Sequence, residues 1–206
     1  MKVLVACEES QRVCTAFRDL GHEAYSCDIV PTSGDHPEWH FQGDVREMLD
    51  WGWDMIIAFP PCTYMSIGSA CRMYPTKGVL DEDRFKKSQE AKKFFMEIMN
   101  ADCPRIAIEN PRPLKIVGLP KETQQIQPWQ FGDPYTKLTY LWLKNLPQLI
   151  PTHNMKDIAM PWVNAGSKKA DGTPRDKQGV KSSSRDRSKT FIGVARAMAR
   201  QFGGVT

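Results

Sequence analysis

The chain has 206 residues, of which 41% are hydrophobic, enough for a substantial core in one α/β domain. No apolar run approaches the roughly 18 residues of a membrane span, and Glu8 and Glu9 interrupt the N-terminal apolar segment too early for a signal peptide. The six cysteines form no C-x-x-C pair and stand apart from the four histidines. We therefore expect free thiols in a reducing cytoplasm, without a zinc site or disulfides.

The net charge of +4 is unevenly distributed. Residues 151–206 contain 11 Lys or Arg and 4 Asp or Glu, whereas residues 1–150 contain 17 and 20. A basic segment attached to a nearly neutral domain suggests a polyanionic partner. On charge alone, a solvated polar surface explains the asymmetry equally well.

Short apolar runs alternate with amphipathic segments along the chain. The strands are predicted at 2–7, 23–29, 54–59, 105–108 and 139–143, and the helices at 10–21, 81–99 and 191–202. This alternation predicts a doubly wound, mostly parallel sheet, which binds ligands at the carboxyl ends of its strands. We expect a core at 1–150, a mobile basic loop at 151–190 and a final helix at 191–206 that packs back on the core.

A cysteine follows one of these strands on a stiff turn. In Phe59-Pro60-Pro61-Cys62, two prolines restrict the backbone and hold Cys62 in one place. A thiolate in such a position is a strong nucleophile when dipoles or cations lower its pKa. Most cysteines are buried structural residues, and we expect this of the other five. The position of Cys62 favours a function.

Three acidic residues also follow predicted strands. Glu109 ends the apolar run at 105–108 and precedes a proline, where a carboxyl group is costly unless it binds something. A salt bridge with Arg112 or a helix cap explains Glu109 equally well. Asp28 and Asp44 stand where a nucleotide-like cofactor would meet a carboxylate, although an acid at a strand end is more often a turn residue.

Several segments together resemble one enzyme family. Residues 54–66, DMIIAFPPCTYMS, resemble the catalytic Pro-Cys motif of DNA cytosine methyltransferases that act at carbon 5. IENP at 108–111 resembles the Glu-Asn motif of this family, and GDV at 43–45 resembles its third, cofactor-side motif. Residues 133–140 stand where the family has Gln-x-Arg-x-Arg. The chain is most similar to short phage-encoded members that lack the target-recognition domain, and FGDPYTK, LWLKNLP and RSKTF strengthen that similarity.

The sequence departs from the family in three places. ACEESQ at 6–11 replaces the glycine-rich cofactor loop, and Lys137 and Thr139 align with the two arginines of the later motif. Only the basic segment 154–190 stands in place of the target-recognition domain.

The resemblance implies a Rossmann-like fold of the S-adenosylmethionine-dependent methyltransferase type and a covalent mechanism on cytosine. It implies that the Cys62 thiolate adds to carbon 6, that Glu109 holds ring nitrogen 3 and the exocyclic amine, and that Lys137 donates to the carbonyl oxygen. The cofactor would contact Cys7, Glu8, Glu9, Ser10, Asp28, Ile29, Asp44, Val45 and Pro60. No metal is implied.

The partner implied by the resemblance is cytosine-containing DNA, in the cytoplasm of a host if the chain is phage-encoded. The residues expected to contact nucleic acid are Ser66, Arg112, Lys168, Lys169, Lys181, Arg185 and Arg187. For lysines in a loop, solvation without a partner is the more common explanation.

Three other functions are compatible with the sequence. An exocyclic-amine methyltransferase also places two prolines after a strand, but it would not need Cys62. An enzyme acting on free cytosine nucleotides would not need a recognition domain. A non-catalytic binding module derived from the methyltransferase fold would explain the altered cofactor loop.

Overall fold

The computed structural model describes residues 1–162 and 184–204. The strands are β1 Lys2–Ala6, β2 Glu23–Asp28, β3 His40–Gln42, β4 Met55–Ala58, β5 Ile106–Pro111, β6 Gln124–Ile126, β7 Tyr135–Thr136, β8 Thr139–Lys144 and β9 Met160–Pro161. The helices are α1 Arg12–Arg18, α2 Ala70–Met73, α3 Glu82–Met99, α4 Ser184–Ser188 and α5 Ile192–Gly203. Short 3₁₀ turns connect several of these elements.

Seven strands form one sheet in the order β3-β2-β1-β4-β5-β8-β6. The pairs from β3 to β5 are parallel, and β8 runs antiparallel to β5 and β6 on either side of it. The short strands β7 and β9 pair separately. The predicted fold class, a doubly wound, mostly parallel α/β sheet, is confirmed.

Hydrophobic residues cover both faces of the sheet. Val3 and Val5 of β1 and Met55 and Ile57 of β4 face α1 and α5, where Phe17, Val194, Met198 and Phe202 complete one core. The alternate residues Leu4, Ile56 and Ile108 pack with Phe95 and Ile98 of α3 in a second core. Burial on both faces explains why β1 and β4 are continuous apolar runs rather than alternating ones.

The order of the strands reverses beside β1. From β1 the chain first builds outward to β2 and β3, and it then crosses back to place β4 and β5 on the other side. The loops that follow β1 and β4 therefore diverge at this point and leave a crevice at the carboxyl ends of the strands.

Four details differ from the predictions. Two edge strands of three residues, β3 and β6, were not predicted because their residues lack a continuous buried run. Strand β5 extends to Pro111, so Glu109 lies within it. The position before α1 is Gln11 rather than Ser10, and the helix begins at Arg12. The segment predicted as a loop at 151–190 contains β9 and α4 among its described residues.

Within the described ranges, no helix has both the length and the apolar character required to cross a bilayer. The same ranges contain no group of three or more His, Cys, Asp or Glu side chains arranged to hold a metal ion.

Replacing Gly193 with alanine is expected to destabilise the fold by about 3 kcal/mol, because an added methyl group overpacks the contact between the start of α5 and the backbone of Phe131. A Cβ atom there would clash with the Phe131 carbonyl oxygen, and the backbone N–H of Gly193 donates to Asp133 at 2.9 Å. Chemical denaturation measures the loss. The matched control is Gly68→Ala, whose Cβ meets nothing closer than 3.9 Å. Equal stability of the two variants would contradict the close packing of α5.

Candidate active site

A cleft of about 410 Å³ opens at the crevice between β1 and β4. The loop after β1, the end of β2, the loop after β4 and the segment after α4 form its walls. Its lining residues are Cys7, Glu8, Glu9, Ser10, Asp28, Phe59, Pro61, Cys62, Thr63, Arg187, Ser188, Lys189 and Thr190. The sequence analysis predicted seven of these positions as site residues, and the fold brings them to one cleft.

A second cleft, of about 280 Å³, adjoins the first and shares Cys7, Asp28 and Pro61 with it. Its other walls are Cys27, Ile29, Gly43, Asp44, Val45, Arg46 and Phe94. Together the two clefts form an elongated groove across the carboxyl ends of β1 and β2. The second cleft combines apolar walls with two carboxylates, those of Asp28 and Asp44.

Two residues of the loop after β1 adopt a backbone conformation that is typical of glycine, although the loop contains no glycine. Cys7 and Gln11 have φ values of 58° and 56°, in the left-handed region. Only short or well-anchored side chains adopt this region readily. The Gln11 side chain supplies an anchor, because it is buried and donates to the His36 carbonyl at 2.7 Å. Burial, reinforced by the nearby Asp28 carboxylate, raises the pKa of the Cys7 thiol.

Glu8 belongs to this loop, and its side chain is buried. Its carboxylate accepts hydrogen bonds from the backbone N–H of Val13 at 2.7 Å and of Cys14 at 3.1 Å, and so it caps α1. Burial raises the pKa of Glu8 to about 7, although these hydrogen bonds oppose the shift. Ser10 donates to the Glu8 carboxylate at 3.4 Å, and the Glu9 carbonyl accepts from the backbone of Ser33 at 2.8 Å. All three predicted residues therefore help to shape the wall of the cleft.

The predicted nucleoside contacts lie in the second cleft. Asp28 ends β2, and its carboxylate accepts from the backbone N–H of Val30 at 3.2 Å. Ile29 is 74% exposed, and Val45 is buried. Asp44 accepts from the backbone N–H and the guanidinium of Arg46 at 3.0 and 3.1 Å, and these hydrogen bonds lower its pKa. A ligand amine at Asp44 would thus share the carboxylate with Arg46.

The loop after β4 is closely tied to β5. The Cys62 carbonyl accepts from the backbone N–H groups of Met65 and Ser66 at 3.0 and 2.9 Å, closing a turn. The backbone N–H of Leu114 donates to the Met65 carbonyl at 2.7 Å, which joins this turn to the chain beyond β5. Pro60 is buried, whereas Pro61 lines both clefts. The wall of the cleft is therefore formed by the second proline instead of the predicted first one.

The Cys62 side chain is half-buried and borders the larger cleft. Burial raises the pKa of its thiol, and the negative charge of Glu109 raises it further. The ammonium group of Lys137 opposes this shift, as does a hydrogen bond from the side chain of Ser66. The two predicted catalytic partners therefore act on the thiol with opposite signs. The proton on Glu109 consequently influences how readily the Cys62 thiolate forms.

Glu109 borders a small cavity that adjoins the larger cleft at Ser188 and Thr190. Burial raises the pKa of its carboxyl group, and this effect is opposed by the charge of Lys137 and by a hydrogen bond with Thr139. A carboxyl group in this environment keeps its proton to a higher pH than a glutamate in water. It can therefore act as a hydrogen-bond donor at pH values at which an ordinary glutamate has lost its proton.

Lys137 lies in the same small cavity. Its ammonium group donates to the Arg187 carbonyl at 3.1 Å and lies 5.8 Å from the centre of the Phe191 ring. The lysine therefore links the predicted catalytic residues to the segment made of the end of α4 and the residues before α5. Arg12 adds a second link to that segment, because its guanidinium donates to the Thr190 carbonyl at 2.8 Å.

The predicted nucleic-acid contacts are only partly described. Ser66 lies beside Cys62, Arg187 lies on the wall of the cleft, and Arg112 is exposed where the chain leaves β5. The Arg112 carbonyl accepts from the backbone N–H of Ile67 at 2.9 Å, so this arginine is fixed next to the Cys62 loop. The positions outside the described residues are Lys168, Lys169, Lys181 and the side chain of Arg185.

Six residues of the cleft wall were not predicted as part of the site: Phe59, Pro61, Thr63, Ser188, Lys189 and Thr190. The first three could have been predicted from their positions next to Cys62 in the sequence. The other three are far from the cleft in sequence and follow a polar stretch without periodicity. The packing of α5 against α1, together with hydrogen bonds from Arg12 and Lys137, holds this part of the chain at the cleft.

Replacing Asn110 with alanine is expected to lower stability by about 2 kcal/mol and to speed alkylation of Cys62. Asn110 is fully buried, and its amide donates to the Pro60 carbonyl at 2.9 Å. Without that bond the carbonyl is left unsatisfied and the cysteine turn loosens. Urea denaturation and the rate of iodoacetamide labelling measure the two effects.

Asn154→Ala is the matched control, because Asn154 is exposed and its side chain bonds only locally to the backbone of Lys156. Its loss of stability is expected to stay below about 0.5 kcal/mol. If Asn110→Ala behaved in the same way, the bond to Pro60 would have no structural role.

No family model and no curated protein matches the sequence. Among solved structures, the chain is similar to a protein described as a DNA modification methyltransferase encoded within an E. coli prophage, with 13% identity and a TM-score of 0.44. That alignment covers 75% of this chain and 51% of the other. A second similar structure is Spodoptera frugiperda DNMT2, with 15% identity, a TM-score of 0.36 and coverage of 77% and 54%. The chain spans about half the length of each.

Proposed function

We propose that the protein is an S-adenosylmethionine-dependent methyltransferase that acts on carbon 5 of cytosine in DNA through a covalent adduct with Cys62. The observation that carries this proposal is the shared environment of Cys62, Glu109 and Lys137. A half-buried thiol on a proline turn lies within electrostatic reach of a buried carboxyl group and an ammonium group, at the edge of an open cleft. These are the three groups that the resemblance requires.

The elongated groove fits the proposed cofactor. The second cleft offers apolar contacts from Ile29, Val45 and Phe94 to an adenine ring, and the Asp28 carboxylate at the end of β2 would accept hydrogen bonds from the ribose hydroxyls. The first cleft, with Cys7 to Ser10 on its wall, would hold the methionine part. When bound, S-adenosylmethionine supplies an electrophilic methyl group.

Cys62 provides the nucleophile for the proposed chemistry. Carbon 5 of cytosine is too electron-poor to accept a methyl group directly. Addition of the thiolate to carbon 6 forms a C–S bond and moves the ring electrons toward carbon 5, which becomes enamine-like. Lys137 favours the thiolate, because its positive charge opposes the rise in the pKa of Cys62.

Glu109 stabilises the charge that this addition creates. A protonated carboxyl group can donate to ring nitrogen 3 while its other oxygen accepts from the exocyclic amine. Burial supports the protonated form, since it raises the pKa of Glu109. Protonation also removes the negative charge that disfavours the Cys62 thiolate, so one proton serves both residues.

The target base must leave the duplex to reach Cys62, at a cost of a few kcal/mol. Arg112 and Arg187 are cations at the border of the site, and contacts from them to phosphates would offset part of that cost. We extend this proposal to Lys168, Lys169, Lys181 and Arg185, which lie in the basic part of the sequence.

Transfer of labelled methyl groups from S-adenosylmethionine tests the proposed function. Duplex DNA, single-stranded DNA and free cytosine nucleotides are supplied in parallel, and the product is digested and analysed as nucleosides. We expect label in 5-methylcytosine from DNA. Label in N4-methylcytosine, in free nucleotides alone or in no product would each contradict the proposal.

A further inference from the structure

Glu8 is a buried carboxyl group that the proposed chemistry leaves unused. It is 4% exposed and lies on the wall of the larger cleft, directly after Cys7 in its left-handed conformation. Its oxygens are held by the backbone N–H groups of Val13 and Cys14 and by the Ser10 hydroxyl. The position of the carboxylate is therefore fixed by three hydrogen bonds.

Burying a carboxylate in this way is costly without a positive partner. Glu9, on the same loop, adds a second negative charge, and the Cys14 thiol faces Glu8 from α1. Across the cleft stand Asp28 at the end of β2, Cys62 after β4, Arg187 in α4 and Lys189 directly after α4. Burial is the dominant influence and raises the pKa of Glu8 to about 7, so the carboxyl group is poised between its two forms near neutral pH.

We propose that Glu8 recognises the ammonium group of the amino-acid part of the cofactor and gives up its proton when that group binds. This inference rests on the proposed cofactor site, and it identifies the residue that binds the amino-acid part of the cofactor. A neutral Glu8 releases one proton to solvent, and the resulting carboxylate forms an ion pair with the ligand ammonium. No bond other than the O–H bond of the carboxyl group is broken.

Proton release makes ligand affinity depend on pH in a defined direction. At low pH the free protein holds the Glu8 proton, so binding must first remove it and affinity is weakened. Affinity is therefore expected to rise roughly fivefold to tenfold between about pH 6 and 7.5 and then to level off. Other acidic groups in the two clefts contribute to the pH dependence of ligand affinity only if ligand binding changes the number of protons that they carry.

Two ligands separate recognition of the ammonium group from recognition of the nucleoside. S-adenosylhomocysteine carries the amino-acid part, whereas 5′-methylthioadenosine is the matching nucleoside thioether without it. Calorimetry near pH 7 in two buffers with different ionisation enthalpies measures the protons released by each ligand. For the wild-type protein we expect release of roughly half a proton with S-adenosylhomocysteine and none with 5′-methylthioadenosine.

Two variants assign the proton to its residue. Glu8→Gln should abolish proton release and flatten the pH dependence, whereas Glu90→Gln, at an exposed glutamate of α3 outside both clefts, should leave both unchanged. Thermal melting checks the fold of Glu8→Gln, because its amide faces two backbone N–H groups. The comparison of ligands on the wild-type protein remains decisive if that variant does not fold.

The outcomes distinguish this inference from the proposed function. Binding of S-adenosylhomocysteine without proton release, at an affinity independent of pH, would overturn the role of Glu8 and leave the cofactor site intact. Proton release that persists in a folded Glu8→Gln variant would also overturn it. Failure of both ligands to bind would instead contradict the proposed cofactor.

Discussion

Replacing Cys62 with serine is expected to lower methyl transfer to DNA by at least about 10³-fold, the scale on which enzymes lose activity when their nucleophile is removed. A serine hydroxyl is similar in size, but it does not ionise under conditions in which a thiol does. The cleft and the proline turn should survive the change. Single-turnover incorporation of labelled methyl groups measures the loss, and binding of S-adenosylhomocysteine checks that the cleft is intact.

Cys71→Ser is the matched control for this experiment. Cys71 is the exposed cysteine of α2, and it lies outside the residues that border either cleft. Its substitution is expected to leave the rate unchanged. If Cys62→Ser retained the wild-type rate, the covalent mechanism would be wrong, and a methyltransferase that modifies an exocyclic amine would explain the paired prolines better.

The second large effect is expected for Glu109→Gln. Methyl transfer should fall by about 10² to 10⁴-fold, the usual contribution of a general acid. The amide cannot provide an acidic proton to ring nitrogen 3. At a pH high enough to ionise Glu109 in the wild-type protein, the Cys62 thiol of the variant should also react faster with iodoacetamide, because the charge that raises its pKa has been removed. A general loss of structure would not produce this pair of opposite effects in a protein that still melts cooperatively.

Glu90→Gln provides the control, since Glu90 is an exposed glutamate of α3. Neither its methyl transfer nor its alkylation rate should change. The pH profile of the wild-type enzyme gives a further check. The protonated form of Glu109 persists above the usual pKa of a glutamate and is lost as the pH rises, whereas the thiolate of Cys62 increases with pH. Unchanged alkylation in Glu109→Gln would contradict their electrostatic coupling.

The central part of the fold could be predicted from the sequence because its strands are buried on both faces. β1 and β4 are unbroken apolar runs, and helix α3 shows its start in the acidic cap Asp81, whose side chain accepts from the backbone of Arg84. The edge strands β3 and β6 could not be predicted in this way. They contain three residues each and are fixed by pairing with a neighbouring strand, which sequence periodicity does not record.

The candidate site could be predicted where a chemically reactive side chain lies next to prolines that restrict the backbone. Two prolines before Cys62 and a proline after Asn110 mark rigid positions at the sheet edge, and the structure brings Cys62 and Glu109 within electrostatic reach. The cap of α1 was not predictable from local patterns. Ser10 fits the rules for a helix cap, but the buried carboxylate of Glu8 takes that role from outside the helix.

The position of residues 188–190, at the end of α4 and directly after it, could not be predicted from the sequence. Ser188 to Thr190 were expected to belong to a solvated loop, yet they border the cleft with Cys62. Their position depends on hydrogen bonds over long sequence separations, from Arg12 to Thr190 and from Lys137 to Arg187. Such contacts are tertiary, and the amino-acid types alone do not reveal them.

Intact-protein mass spectrometry after incubation with a 5-fluorocytosine oligonucleotide and S-adenosylmethionine tests the central claim most directly. Fluorine at carbon 5 cannot leave as a proton does, so the thiol adduct should be trapped. The account predicts a covalent protein–DNA species, mapped to Cys62 by peptide analysis and absent in Cys62→Ser. Methylation of ordinary cytosine at carbon 5 without any adduct, or an adduct at another cysteine, would contradict it.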